Sequence, residues 1–125
     1  MNSFNLRGLS FMSNFKDVYQ KFIHLSITSE ALSEFPRLEP IEQRILNLLS
    51  RNWLNKKPIT VVETMNMTDE ISTSTVFRYL KSLRLKGYIA LVIDEVDNRV
   101  KYVSSTKQTE KYFDKLGRLI TEATK

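Results

Sequence analysis

With 125 residues, 42% of them hydrophobic and 26% charged, the chain is long enough for one compact domain and too apolar for wholesale disorder. The absence of cysteine excludes disulfides and thiolate metal sites and suits a reducing cytoplasm. The net charge of +5 is uneven: residues 72–107 carry seven basic and three acidic side chains, an excess that draws polyanions because neutralised phosphates release counterions.

The opening MNSFNLRGLSFMSNF has no signal-peptide pattern, and no run approaches the about 18 apolar residues of a membrane span, so no membrane partner is expected. Residues 1–12 read as a loosely held arm. From Asn14, the spacing of Phe15, Val18, Tyr19, Phe22 and Ile23 predicts an amphipathic helix running to about Phe35, where Pro36 discourages continuation. A second helix opens at Glu39-Pro40, with proline in the first turn, and buries Ile41, Ile45, Leu48 and Leu49. Asn55 to Pro58 ends it, and Trp53 is expected to anchor its far end. After a short extended segment at Ile59, Thr60-Val61-Val62-Glu63 has the form of a capping box and predicts a short helix.

Ser72 or Thr73 then caps a further helix reaching Lys86, and Gly87 stands where a helix-terminating residue of positive φ is expected. Tyr88 to Asp94 is rich in β-branched residues, Asp97-Asn98 suits a turn, and Val100 to Ser104 returns, which predicts a hairpin. Ser105 and Gln108 suggest the cap of a last helix carrying Tyr112, Phe113, Leu116, Leu119 and Ile120 on one stripe. The expected fold is therefore mainly α with a small β-hairpin wing. It is a winged helix-turn-helix over residues 37–104, flanked by an N-terminal arm and helix (1–36) and a C-terminal helix (105–125) that serve dimerisation.

The helix over 72–86 has two chemically distinct sides. Val76, Leu80 and Leu83 fall on one, Ser74, Thr75, Arg78, Lys81 and Ser82 on the other, and no acidic residue occurs from Ser72 to Tyr88. Short side chains let a backbone approach a duplex, hydroxyls bond phosphates or base edges, and arginine can grip guanine with two bonds. The expected contacts with double-stranded DNA are Thr73, Ser74, Thr75, Arg78, Lys81 and Ser82 in the major groove. Arg99 and Lys101 would extend the contact from the wing (94–101) to the adjacent minor groove or backbone. The competing reading is that Arg99 pairs with Asp94, Glu95 or Asp97, three acids that repel phosphate.

These segments resemble MarR-type transcription regulators. Leu38-Glu39-Pro40-Ile41-Glu42-Gln43-Arg44-Ile45-Leu46 looks like the opening of their winged-helix domain, and Pro58 to Glu63 like their strand and second-helix start. Ser72 to Leu80, with Leu83 and Lys86-Gly87-Tyr88-Ile89, resembles their recognition helix and its exit. Asp97 to Val103 resembles the wing. The resemblance implies a homodimer on pseudo-palindromic DNA, joined through its N- and C-terminal helices, with Ser74, Thr75 and Arg78 at the groove-reading positions and Arg99 as the wing arginine.

Nothing points to catalysis, a metal or a cofactor. His24 is the single histidine, beside an apolar stripe, and reads as a solvent or interface residue. The aromatic set Phe11, Phe15, Tyr19, Phe22 and Phe35 has the spacing of core or interface packing, with an effector pocket at a dimer interface as the alternative. The expected function is thus a cytoplasmic, dimeric, sequence-specific DNA-binding transcription regulator. The alternatives are a winged-helix protein–protein adaptor and a replication or partition accessory protein of a mobile element.

Overall fold

A computed structural model describes the backbone of residues 3–125 and the side chains from residue 14. Its elements run α1 (Ser3–Thr28), a single 3-10 turn (Glu30–Leu32), α2 (Pro40–Leu54), α3 (Val61–Met65), α4 (Thr73–Leu85), β1 (Ile89–Ile93), β2 (Lys101–Ser105) and α5 (Lys107–Ala123). They form two compact units, one made of residues up to Phe35 together with Lys111–Lys125, the other of Pro36–Glu110.

The Pro36–Glu110 unit is a mainly helical winged helix, as the periodicities predict, though the buried face of α2 takes in Leu46 while the expected Ile41 and Leu48 are only half-buried. Ile45, Leu46 and Leu49 of α2 meet Val76, Leu80 and Leu83 of α4, and each of these six is at most 5% exposed. Ile59, Tyr88, Ile89 and Val103 complete this core. Burying such side chains stabilises the fold by roughly 1.5–3 kcal/mol apiece. Strands β1 and β2 pair antiparallel, with Leu91 opposite Val103 and Ile93 opposite Lys101. Thr60 adds an isolated bridge to Tyr102, so the segment before α3 lies along the wing's return strand. Trp53 acts as the expected anchor, its indole N–H donating to the Val103 carbonyl at 3.1 Å.

The helix ends follow local chemistry. Thr60 and Glu63 close the capping box: Thr60 Oγ1 accepts from the Glu63 amide at 3.0 Å, and Glu63 Oε1 accepts from the Thr60 amide at 2.9 Å. Ser72, not Thr73, caps α4, its hydroxyl accepting from the Thr75 amide. Gly87 leaves α4 with φ +85°, and a Cβ there would lie 2.7 Å from Gln108 Oε1. The cap of α5 differs from expectation. Thr106 accepts from the Thr109 amide, because Gln108 is drawn away to donate to the Lys86 carbonyl.

The other unit departs further. The arm expected over residues 1–12 is helical from Ser3, with the first two residues outside the described part. That stretch holds no proline, and its one glycine, Gly8, costs about 1 kcal/mol, too little to stop a long helix. Nor does α1 reach Phe35. Ser26 and Thr28 hydroxyls bond back to the Ile23 and His24 carbonyls, and Ser29 turns extended to cap the 3-10 turn, ending the helix seven residues early. Within the unit, the Phe35 and Tyr112 rings meet edge to face with centroids 5.4 Å apart, and Lys115 pairs with Glu34 at 2.5 Å. Phe22 and Phe35 are half-buried, Phe15, Tyr19 and His24 are exposed, and the Phe11 side chain lies outside the described residues. No helix is long and apolar enough to cross a membrane among the described residues.

Candidate nucleic-acid interface

The outward side of α4 carries the cationic row. Thr73, Ser74, Arg78 and Lys81 are exposed, with Thr75 half-buried behind them. Thr75 belongs partly to the cap, since its hydroxyl accepts from Ser72 at 2.7 Å. Arg78 makes no ion pair among the described residues; its guanidinium lies 5.1 Å from the centre of the neighbouring Tyr79 ring. Lys81 sits likewise over Phe77, 4.9 Å from its centroid. Cation–π contacts of this exposed kind are worth about 0.5–1 kcal/mol, enough to bias the rotamer and far from enough to neutralise the charge.

Ser82 does not belong to this row. Its hydroxyl donates inward to Glu42 Oε2 at 2.5 Å, so the sequence-based placement on the outer face is corrected. Position 82 lies at the edge of the helical wheel, where a partner from α2 decides the direction. Glu42, fully buried, is a residue to which the sequence assigns no role: it stands there only within the stretch from Leu38 to Leu46 that carries the resemblance. Its Oε1 accepts from the Glu39 amide at 2.7 Å and from Lys86 Nζ at 2.6 Å. Burial pushes this carboxyl up, but the hydrogen bonds from Glu39, Lys86 and Ser82 outweigh that and hold it below the ordinary glutamate value.

Two of the wing's three acids are engaged within the hairpin, while Glu95 is exposed. Asp94 faces its own loop: Oδ2 accepts from the Val96 and Asp97 amides at 3.0 and 2.9 Å, and Oδ1 from the Tyr102 hydroxyl at 3.2 Å. The amides of Asp97 and Val96 hold its carboxyl below the usual aspartate range. Asp97 grips Arg99 with two bonds, Nε to Oδ1 at 3.0 Å and Nη2 to Oδ2 at 3.1 Å, which lowers the acid's pKa and raises the base's. The pairing weighed as the competing reading therefore exists, but the Arg99 side chain stays 87% exposed. An ion pair so wetted adds little stability and can be exchanged for a phosphate.

Helix and wing cations converge. A cleft of 560 Å³ between α3, α4 and the hairpin has Val61, Val62, Phe77, Leu91 and Val100 in its walls and Lys81, Arg84, Arg99 and Lys101 around it, with no carboxylate among its lining residues. Arg84, exposed in the last turn of α4, was also missed; the basic composition of the helix was its only signal. The surface is thus an exposed row from Ser74 through Arg78 to Lys81, with Arg99 and Lys101 also lining the cleft that Lys81 borders. Such a surface has the charge that phosphate contacts require and, at Arg78, the donors that a base edge requires.

Comparison with solved structures identifies the architecture. The transcriptional regulator Tm0710 from Thermotoga maritima superposes with a TM-score of 0.58 at 20% identity, over 94% of this chain and 70% of that one. The YusO protein from Bacillus subtilis gives 0.53 at 18%, over 98% and 80%. The fold is that of the MarR-type regulators. A mutant MarR from E. coli, crystallised with operator DNA, shares it with a TM-score of 0.50 at 16% identity, over 96% of this chain and 74% of that one. At such identities the likeness is one of fold. No protein-family model and no curated protein sequence matches the chain. Within this fold α3 and α4 are successive helices and β1–β2 the hairpin after them, so the cationic row occupies the outer side of the helix that leads into the hairpin.

Proposed function

We propose that the chain is a sequence-specific double-stranded DNA-binding transcription regulator that acts as a homodimer. In this reading α4 enters the major groove, Ser74, Thr75 and Arg78 address bases, and Thr73 and Lys81 address phosphates. The wing lays Arg99 and Lys101 on the adjacent minor groove or backbone. The observation that carries it is the exposed Arg78, unpaired by any acid among the described residues, on an outer helix side free of carboxylates. The operator-bound E. coli relative of the same fold supports it.

Dimerisation rests on α1. Phe15, Tyr19, Ile23 and Ile27 recur every fourth residue and are 57%, 65%, 37% and 77% exposed, an apolar strip that a second copy would cover. Ile120 of α5, 51% exposed, adds to the apolar surface of the same unit. Selection of bound sequences from random duplexes tests the proposal. A two-fold symmetric motif is the expected result, with affinity falling steeply as salt rises; no enrichment of any sequence would sink it.

A further inference from the structure

The exit of α4 is fastened from two directions. On one side lies Glu42, completely buried, whose carboxylate takes donors from three places: the Glu39 amide, the Ser82 hydroxyl and the Lys86 ammonium. Lys86 Nζ also donates to the Arg37 carbonyl at 2.8 Å, and the Tyr88 hydroxyl to the Pro36 carbonyl at 2.5 Å. On the other side, Gln108, Thr106 and Thr109 donate to the successive carbonyls of Lys86, Gly87 and Tyr88 at 2.8, 2.6 and 2.5 Å. At the opposite end of α4 the side-chain hydrogen bonds among the described residues stay within Ser72, Ser74 and Thr75.

A buried ion pair can often be replaced by apolar packing of similar volume with little loss of stability, so stability alone does not call for Glu42. What apolar packing cannot supply is direction. Ser82 lies one helical turn beyond Arg78, and Glu42 fixes the angle at which Ser82 points. A roll of α4 by about 20° would move an atom at the side-chain radius of about 5 Å by about 2 Å, beyond the tolerance of a hydrogen bond.

We infer that Glu42 is a positioning residue for the groove-reading helix: through Ser82 and Lys86 it sets the roll of α4, and with it the aim of Ser74 and Arg78. The inference rests on the DNA-binding reading of α4 and assigns Glu42 no contact with DNA.

The test compares wild type and Glu42→Gln on a duplex recovered by selection and on a scrambled duplex, across a salt series. Selectivity, the ratio of the two affinities, should fall about tenfold, while scrambled-duplex affinity and the salt slope stay unchanged, since the phosphate-binding cations are untouched. Glu42→Gln with Lys86→Met removes the ammonium that the single change strands; it should fold like wild type and still lack selectivity. Selectivity kept within about twofold of wild type, or an equal loss on both duplexes, overturns the inference. Amide exchange separates this from failure of the DNA reading. If wild type prefers no duplex, that reading falls, and faster exchange in Glu42→Gln over residues 79–86 than over α2 still supports positioning. Exchange unchanged over 79–86 overturns it.

Discussion

Two helices of this chain present an ordered outward row, and the rows are chemical opposites. On α1 it is Phe15, Tyr19, Ile23 and Ile27; on α4 it is Ser74, Arg78 and Lys81. Both follow the same helical spacing, so periodicity alone does not distinguish a partner surface from a core surface. The side-chain chemistry does. An apolar row gains only by leaving water, which calls for another apolar surface. A cationic row keeps its hydration unless a polyanion replaces it. The two rows also differ in support: α4 is fastened from behind by Glu42, whereas Ser26 and Thr28 loosen the C-terminal turns of α1 by competing for its carbonyls.

The contrast can be broken at its apolar end first. Tyr19→Asp with Ile23→Asp places two carboxylates in the proposed dimer surface, and burying an unpaired charge costs several kcal/mol. Sedimentation should show a monomer, with the winged-helix unit still folded. At the cationic end, Arg78→Ala should lower affinity for the selected duplex by about 1–3 kcal/mol and relax preference at one base position, read by titration against single-base variants.

Glu42 offers a pH test of the support behind α4. Its folded-state pKa is lowered, so it contributes stability above the unfolded-state value, near pH 4.3 for an ordinary glutamate, and that contribution is lost as pH falls through the folded value. Glu42→Gln should lower stability at neutral pH by about 2 kcal/mol, the worth of a hydrogen bond to a charged group, and flatten the acid limb of the unfolding curve, measured by denaturant titration from neutral to acid. The smallest effects belong to the wing. Lys101→Ala should weaken all duplexes alike and reduce the salt slope by about one. Asp97→Asn should strengthen binding slightly, by less than Lys101→Ala weakens it, by releasing Arg99 from an exposed pair.

The sequence disclosed α4 in detail because every signal there is local: the Ser72 cap, the Val76, Leu80 and Leu83 spacing, and the Gly87 stop. The exposed position of Arg78 follows from the same spacing. Ser82 was misplaced because its direction is set by a carboxylate 40 residues away, and no local pattern carries such a pairing. Glu42 stayed hidden likewise: an acid in the first turn of a helix ordinarily answers the helix dipole from solvent. The α5 cap shifted from Ser105 to Thr106 once the carbonyls of Lys86 to Tyr88 claimed the nearby donors and left Gln108 no choice. The early end of α1 was legible in principle, since Ser26, Thr28 and Ser29 cluster there, but the apolar stripe outweighed them.

The Asp94 carboxylate, bonded to two amides of its own loop and to Tyr102, means that the hairpin tip is shaped before any partner arrives. Little conformational entropy is then left to surrender on contact. Encounter with a polyanion can accordingly proceed as a rigid docking, its speed governed by electrostatic steering more than by the search of a floppy finger for its seat.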